Sequence, residues 1–198
     1  ELGAKRYPDL SGHGTIYAMP AYVALLRAVN VAGRNMVSMS DLRAMATRLG
    51  LAEPRTLLQS GNLVFTSSLR SSASIERLLE EGAAQHLGLT TDFILRSADE
   101  LRVAIADNPF KGEARNDPSR LLTMFARAPL TAPQEKALQQ AITGREVARV
   151  KGRHAYIYYP DGAGRSKLTT AIIEKRLETR VTGRNWNTVL KLKALVEQ

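Results

Sequence analysis

Two loops in the last third of the chain hold the residues best suited to chemistry. Asp161-Gly-Ala-Gly-Arg-Ser-Lys167 places glycines and the cations Arg165 and Lys167 ahead of a helix-forming stretch. Glycines beside a helix N-terminus leave backbone N–H groups free to hold an anion, and the two side chains would add charge. The segment lacks the Gly-Lys-Ser/Thr ending of a nucleotide-binding P-loop, and an ordinary hairpin-to-helix turn accounts for the same residues. The second loop is Arg184-Asn-Trp-Asn-Thr188. Arg184 can grip a carboxylate or phosphate through two N–H groups, Asn185 offers an amide beside it, and Asn187 can cap the following helix. Trp186, the only tryptophan, either stacks on a flat ligand or anchors that helix in the core. Lys191 adds a further cation along the same helix.

The first half contributes smaller signals. Asn30-Val-Ala-Gly-Arg-Asn35 follows an apolar run and can form a backbone nest with Arg34 above it. Ser60-Gly61-Asn62 has tight-turn chemistry, and Ser60 and Asn62 could orient a polar ligand. Tyr156 and Tyr158 alternate along one strand and share a face, where they either stack bases or pack in the core. The three histidines, His13, His86 and His154, show no metal-ligand spacing. Neither an HExxH motif nor a GxSxG elbow is present. Glu80-Glu81 and Asp99-Glu100 are adjacent on helical patterns, which points each pair apart. With no cysteine, thiolate nucleophiles, thiolate metal sites and disulfides are excluded, in keeping with a reducing cytoplasm. No motif calls for a cofactor.

The net charge of +9 is uneven. From Arg145 onward there are 12 Lys/Arg against 5 Asp/Glu, whereas the preceding residues carry 16 against 14. Clustered positive charge raises the local concentration of anions. One functional expectation is therefore a phosphate-bearing ligand, nucleotide or nucleic acid held by Arg165, Lys167, Arg184, Asn185 and Lys191. The other is an enzyme acting on a small polar metabolite in a cleft between halves, with Asn30, Arg34, Ser60, Asn62 and Asn185 as orienting groups. The apolar runs, such as Tyr22–Leu26 and Leu121–Ala126, are far too short to cross a membrane. Nothing in the pattern sets the oligomeric state.

The elements that must carry these residues follow from periodicity. Residues 1–18 have no apolar core of a secretory signal and read as a vector or upstream remnant, with Met19 as the natural start. Tyr22–Val29 reads as a buried strand, and Leu42, Met45, Ala46 and Leu49 give a helix over 41–49. The stretch 56–66 is a hairpin turning at Ser60-Gly61-Asn62. Ile75, Leu78, Leu79 and Leu87 mark a second helix ended by Gly88, and Asp92–Arg96 is a further strand. Ser97-Ala-Asp-Glu100 has capping-box spacing and starts a helix over 98–106. After a connector at 111–119 the order repeats: strand 121–126, helix 132–142, hairpin 146–159 turning at Gly152, helix 166–178, strand 180–182 and helix 187–197.

The predicted fold class is thus α+β, a duplication of two βαββαβ units, each with a trailing helix. Such units form ferredoxin-like antiparallel sheets with helices on one face. The first subdomain spans 19–111 and the second 118–198.

Five segments also carry a family resemblance. Tyr22-Val-Ala-Leu-Leu-Arg-Ala-Val-Asn-Val31, Gln59-Ser-Gly-Asn-Leu-Val-Phe65, Asn108-Pro-Phe110, Gly164-Arg-Ser-Lys-Leu168 and Thr182-Gly-Arg-Asn-Trp-Asn-Thr-Val189 resemble signature segments of the bacterial domain-of-unknown-function family 1697. They occur in family order from Met19 to the C-terminus. The resemblance implies two ferredoxin-like α+β subdomains and carries no established activity. Ala32 stands where the family is associated with Gly, which weakens the nest reading of the first loop.

Overall fold

The structure is a computed structural model and describes residues 19–28 and 36–198. Residues 1–18 and the loop holding Asn30 and Arg34 lie outside the described residues. The element order is β1 (Ala21–Leu26), α1 (Met39–Arg48), β2 (Ala52–Thr56), β3 (Asn62–Thr66), α2 (Ser72–Leu87), β4 (Phe93–Ser97) and α3 (Ala98–Ala106). A short α4 (Lys111–Asn116) occupies the connector. The second half runs β5 (Leu121–Ala126), α5 (Ala132–Gln140), β6 (Val147–Lys151), β7 (His154–Tyr158), α6 (Thr170–Leu177), β8 (Val181–Asn185) and α7 (Trp186–Val196).

Each half makes a four-stranded antiparallel sheet, with strand orders β2-β3-β1-β4 and β6-β7-β5-β8. The central strands β1 and β5 are apolar on both faces, Thr123 of β5 excepted, because both faces are covered. Tyr22, Ala24 and Leu26 meet Leu42, Met45, Ile75 and Leu79 of α1 and α2. Val23 and Leu25 point the other way, into a second core. Pro54, which has no N–H to give a ladder, sits on the edge strand β2.

The expectation of helices on one face holds for α1 and α2 and, in the second half, for α5 and α6, whose Leu138, Ile173 and Leu177 cover Met124 and Ile157. The trailing helices α3 and α7 lie on the opposite faces. There Val23, Leu25, Val64 and Ile94 of one sheet share a core with Leu121, Phe125 and Tyr156 of the other. Leu101 and Ala104 of α3 and Trp186, Val189 and Leu192 of α7 complete it.

Local chemistry sets the element ends. Ser97 and Glu100 form the expected capping box at α3. Ser97→Ala should lower stability by about 1 kcal/mol, the usual loss when an N-cap oxygen is removed, and urea denaturation would show it. Several boundaries differ from the sequence reading: β2 ends at Thr56, where that reading begins the hairpin, β8 runs to Asn185 instead of Thr182, and the connector carries α4. Two helix starts differ as well. α6 starts at Thr170, capped by Thr169, because a 3-10 turn over Ala163–Arg165 and a hydrogen bond from Leu168 N–H to Ser166 Oγ hold the preceding segment out of the helix. α7 starts at Trp186, capped by Asn185 rather than Asn187, since the Asn185 side chain accepts Thr188 N–H at 2.9 Å.

Candidate functional site

Two buried arginines join the halves, one contributed by each. Arg96 in β4 is 1% exposed. Its guanidinium donates to the carbonyl oxygens of Ala126 at 2.7 Å and Arg153 at 3.0 Å, and to His154 Nε2 at 3.1 Å. Arg184 in β8 is 7% exposed. It donates to the carbonyls of Leu26 at 3.1 Å, Ser60 at 3.0 Å and Gly61 at 3.2 Å, and to Asn62 Oδ1.

Apart from Ser60, these sets correspond residue by residue. Ala126 and Leu26 end the central strands, Arg153 and Gly61 lie in the hairpin turns, and His154 and Asn62 open the next strands. Each arginine also donates to the carbonyl of the residue before it, Leu95 or Gly183, at 2.7 and 2.8 Å. The clasp is therefore repeated about a pseudo-twofold relation between the halves. Burial pushes both guanidinium pKa values down to about 10, so both remain cationic at neutral pH.

A cleft of about 640 Å³ opens beside the second clasp. Its walls come from the end of β1 with Arg27, the turn residue Ser60, β5, β8 and the segment entering α6. Leu122, Met124, Leu168 and Ile173 give it an apolar side, and Thr170, Gly183 and Arg184 a polar one. Arg27 is held there by Glu174 through two bonds of 2.7 Å; burial pushes the Glu174 pKa up, but the Arg27 bonds, the Val181 N–H and the nearby guanidinium charges outweigh it and hold the pKa below the usual carboxylate range.

A smaller hollow of about 250 Å³ adjoins the cleft, sharing Tyr159 and Ser166 with it. Arg145, Arg165 and Lys167 line it. Arg145 pairs with Asp161 at 3.1 Å, while Arg165 and Lys167 are exposed and make no salt bridge among the described residues. Glu146 lies in the same hollow, bonded by the Ser166 hydroxyl, which lowers its pKa.

The residues singled out from the sequence divide accordingly. Arg165 and Lys167 come together at the hollow, although no helix begins at them: the N-terminus of α6 lies beyond, at Thr170. Arg184 differs from expectation. Its five N–H groups all meet internal acceptors, with Thr182 Oγ1 and the Gly183 carbonyl completing the set, so none is left to grip a ligand directly. Asn62 is fully buried and divides its amide between Leu57, Ser60 and Arg184.

Asn185 serves as the α7 cap, and Trp186 is buried in the shared core, its anchoring alternative. Tyr156 is likewise buried and donates to the Ala104 carbonyl at 2.7 Å, while Tyr158 packs against the same core. Their shared face looks inward and stacks no base. Lys191 is exposed on α7 and lines neither hollow. Ser60 reaches the cleft rim, with its carbonyl tied to Arg184.

Sequence reasoning missed Arg27, Arg96 and Arg145. The signal for Arg96 was a cation inside the apolar run Phe93-Ile-Leu-Arg96, directly before a helix cap, just as Arg184 precedes Asn185. Among the described residues no helix is long and apolar enough to cross a membrane, and no group of three or more acidic, histidine or cysteine residues could hold a metal.

Comparison with known proteins agrees with this architecture. Among solved structures, the chain is similar to the conserved bacterial protein SP0830 from Streptococcus pneumoniae, with a TM-score of 0.71 and 26% identity over 91% of this chain and 100% of that one. No curated protein matches. Residues 19–156 match the family model described as "Protein of unknown function (DUF1697)", and the chain belongs to that family.

Proposed function

We propose that the protein binds a small phosphate-bearing ligand of the nucleotide class, with its phosphates at Arg145, Arg165 and Lys167 and its flat or apolar body in the adjoining cleft. The observation that carries this reading is the adjacency of the two hollows through Tyr159 and Ser166. One hollow presents two cations, Arg165 and Lys167, that make no salt bridge among the described residues; with Arg145 they outnumber the two carboxylates that also line it, Glu146 and Asp161. The other is large enough for a small organic body and is lined on one side by aliphatic groups. Clustered cations at a concave site attract phosphate. Each charge-assisted hydrogen bond contributes roughly 1.5–3 kcal/mol when formed.

A fluorescent methylanthraniloyl-ATP titration would test this. The full chain should bind it, more weakly as salt rises. Arg165→Ala combined with Lys167→Ala should weaken binding about 10- to 100-fold. Because both side chains are exposed, the thermal midpoint should shift by no more than about 1 °C. Equal affinity in the double variant, or no binding by the wild type, would overturn the proposal. Binding of single-stranded RNA without binding of the nucleotide would replace it with a polyanion reading.

A further inference from the structure

The two halves repeat one fold, and the place where they differ falls on the cleft. Phe93 and Val181 occupy equivalent edge positions, opposite Leu26 and Ala126. Both outward N–H groups are capped by a carboxylate from the covering helix. Glu80 accepts from Phe93 at 3.2 Å and Glu174 accepts from Val181 at 3.0 Å. One helical turn before Glu80, the buried Glu76 accepts the next outward N–H, that of Leu95, at 2.9 Å.

In the second half this second cap is missing. The residue one turn before Glu174 is Thr170, the first of α6, and Leu95 is matched by Gly183. The shared register turns the Gly183 N–H outward like that of Leu95, and no acceptor among the described residues reaches it. Both Thr170 and Gly183 line the cleft.

The charge is unmatched in the same place. Arg96 is buried beside Arg153, whose charge opposes its cation, and within the fields of Glu100 and Glu76, which favour it. Arg184 is buried with no carboxylate acting on it, because the equivalent positions are Thr188 and Thr170. A second arginine is in position as well. Arg127 lies 3.6 Å from the Glu76 carboxylate, and its counterpart Arg27 lines the cleft.

We propose that the cleft binds a small carboxylic acid. Its carboxylate rests on the Gly183 N–H as that of Glu76 rests on the Leu95 N–H, and its apolar body lies against Leu122, Leu168 and Ile173. The first half already shows the complex in cis: a carboxylate on an edge N–H, close to a buried guanidinium, under the covering helix. The second half keeps the donor and the buried cation and has a cavity where the carboxylate would be. This site shares the cleft with the ligand body of the phosphate reading but does not rest on that reading, since it uses none of Arg145, Arg165 or Lys167.

The test is a titration of the 15N-labelled full chain with sodium hexanoate, against sodium chloride at matched ionic strength, observed by amide NMR. The Gly183 N–H should move downfield and saturate with hexanoate alone. Thr170→Glu supplies the missing carboxylate from within. Its Gly183 N–H should already lie downfield without ligand, the thermal midpoint should rise, and the hexanoate response should weaken at least about tenfold, the low end of what one charge-assisted hydrogen bond contributes.

Thr170→Gln, which has the same reach and no charge, should block the site too and serves if the glutamate variant fails to fold. A Gly183 signal indifferent to hexanoate, or an undiminished response in both variants, would overturn the proposal. An equal response to inorganic phosphate would overturn the choice of carboxylate. The double replacement of Arg165 and Lys167 should leave the hexanoate response intact, which separates the failure of one site from the failure of the other.

Discussion

Replacing Arg184 with Met should lower the unfolding free energy by about 3–5 kcal/mol, because several buried acceptors lose their donor at about 1–3 kcal/mol each. For a chain of this size that corresponds to a fall of about 10–15 °C in the thermal midpoint. The methionine would fill much of the volume and donate nothing. The carbonyls of Leu26 and Ser60 and the buried Asn62 oxygen would each lose a donor. Arg96→Met should have an effect of the same size, through Ala126, Arg153 and His154. Urea denaturation of the two variants would measure both losses. A change below about 1 kcal/mol, the range of an exposed ion pair, would show that the clasp contributes little.

The second large effect is a dependence on pH. His154 is 5% exposed and accepts a hydrogen bond from Arg96 on Nε2, so its proton must sit on Nδ1. Burial, with the positive charges of Arg96 and Arg153 beside it, pushes its pKa down to about 3; Asp107 and a hydrogen bond to the Lys151 backbone oppose this only weakly. The unfolded chain has an ordinary histidine, with a pKa near 6.5. Below that value the unfolded state binds a proton that the folded state refuses, so stability falls as the pH falls. The slope approaches about 1.4 kcal/mol per pH unit and continues until the folded-state pKa is reached.

Glu174, whose folded pKa is lowered, adds a loss in the same direction once the pH drops below the usual carboxylate range. His154→Asn isolates the histidine contribution, because asparagine is the residue at the equivalent position of the other clasp. Asn62 already accepts from Arg184 there. The variant should keep the fold at neutral pH and lose most of the decline between pH 6.5 and 5. An unchanged decline would mean that His154 is not its source.

The contrast between what was legible and what was not follows the range of the interactions involved. The α3 cap was readable because Ser97 and Glu100 are neighbours in sequence that satisfy each other. The repeated strand and helix order was readable because the central strands are short, almost wholly apolar runs, broken only by Thr123 in β5. The start of α6 was missed, because Ser166 has the composition of a cap but bonds to Glu146 and Leu168 instead.

The role of Arg184 was missed for a different reason. A surface arginine and a buried one look alike until the acceptors appear, and those acceptors are backbone carbonyls more than a hundred residues away. Carbonyls have no sequence signature. Trp186 remained ambiguous between a ligand and the core until α7 was placed between the sheets. Arg165 and Lys167 could be grouped from sequence, whereas Arg145 joined them only through the fold.

The paired clasp also bears on ancestry. Each half contains both parts of the joint: an arginine that reaches outward, and a strand end with a hairpin turn that receives its counterpart. A chain of half this length, paired with its own copy about a twofold axis, would complete two such joints with identical residues, as an isologous interface requires. Fusion of the two copies then frees each joint to diverge separately. Here one side has settled on histidine and a full set of carboxylates, and the other on asparagine and an open cleft.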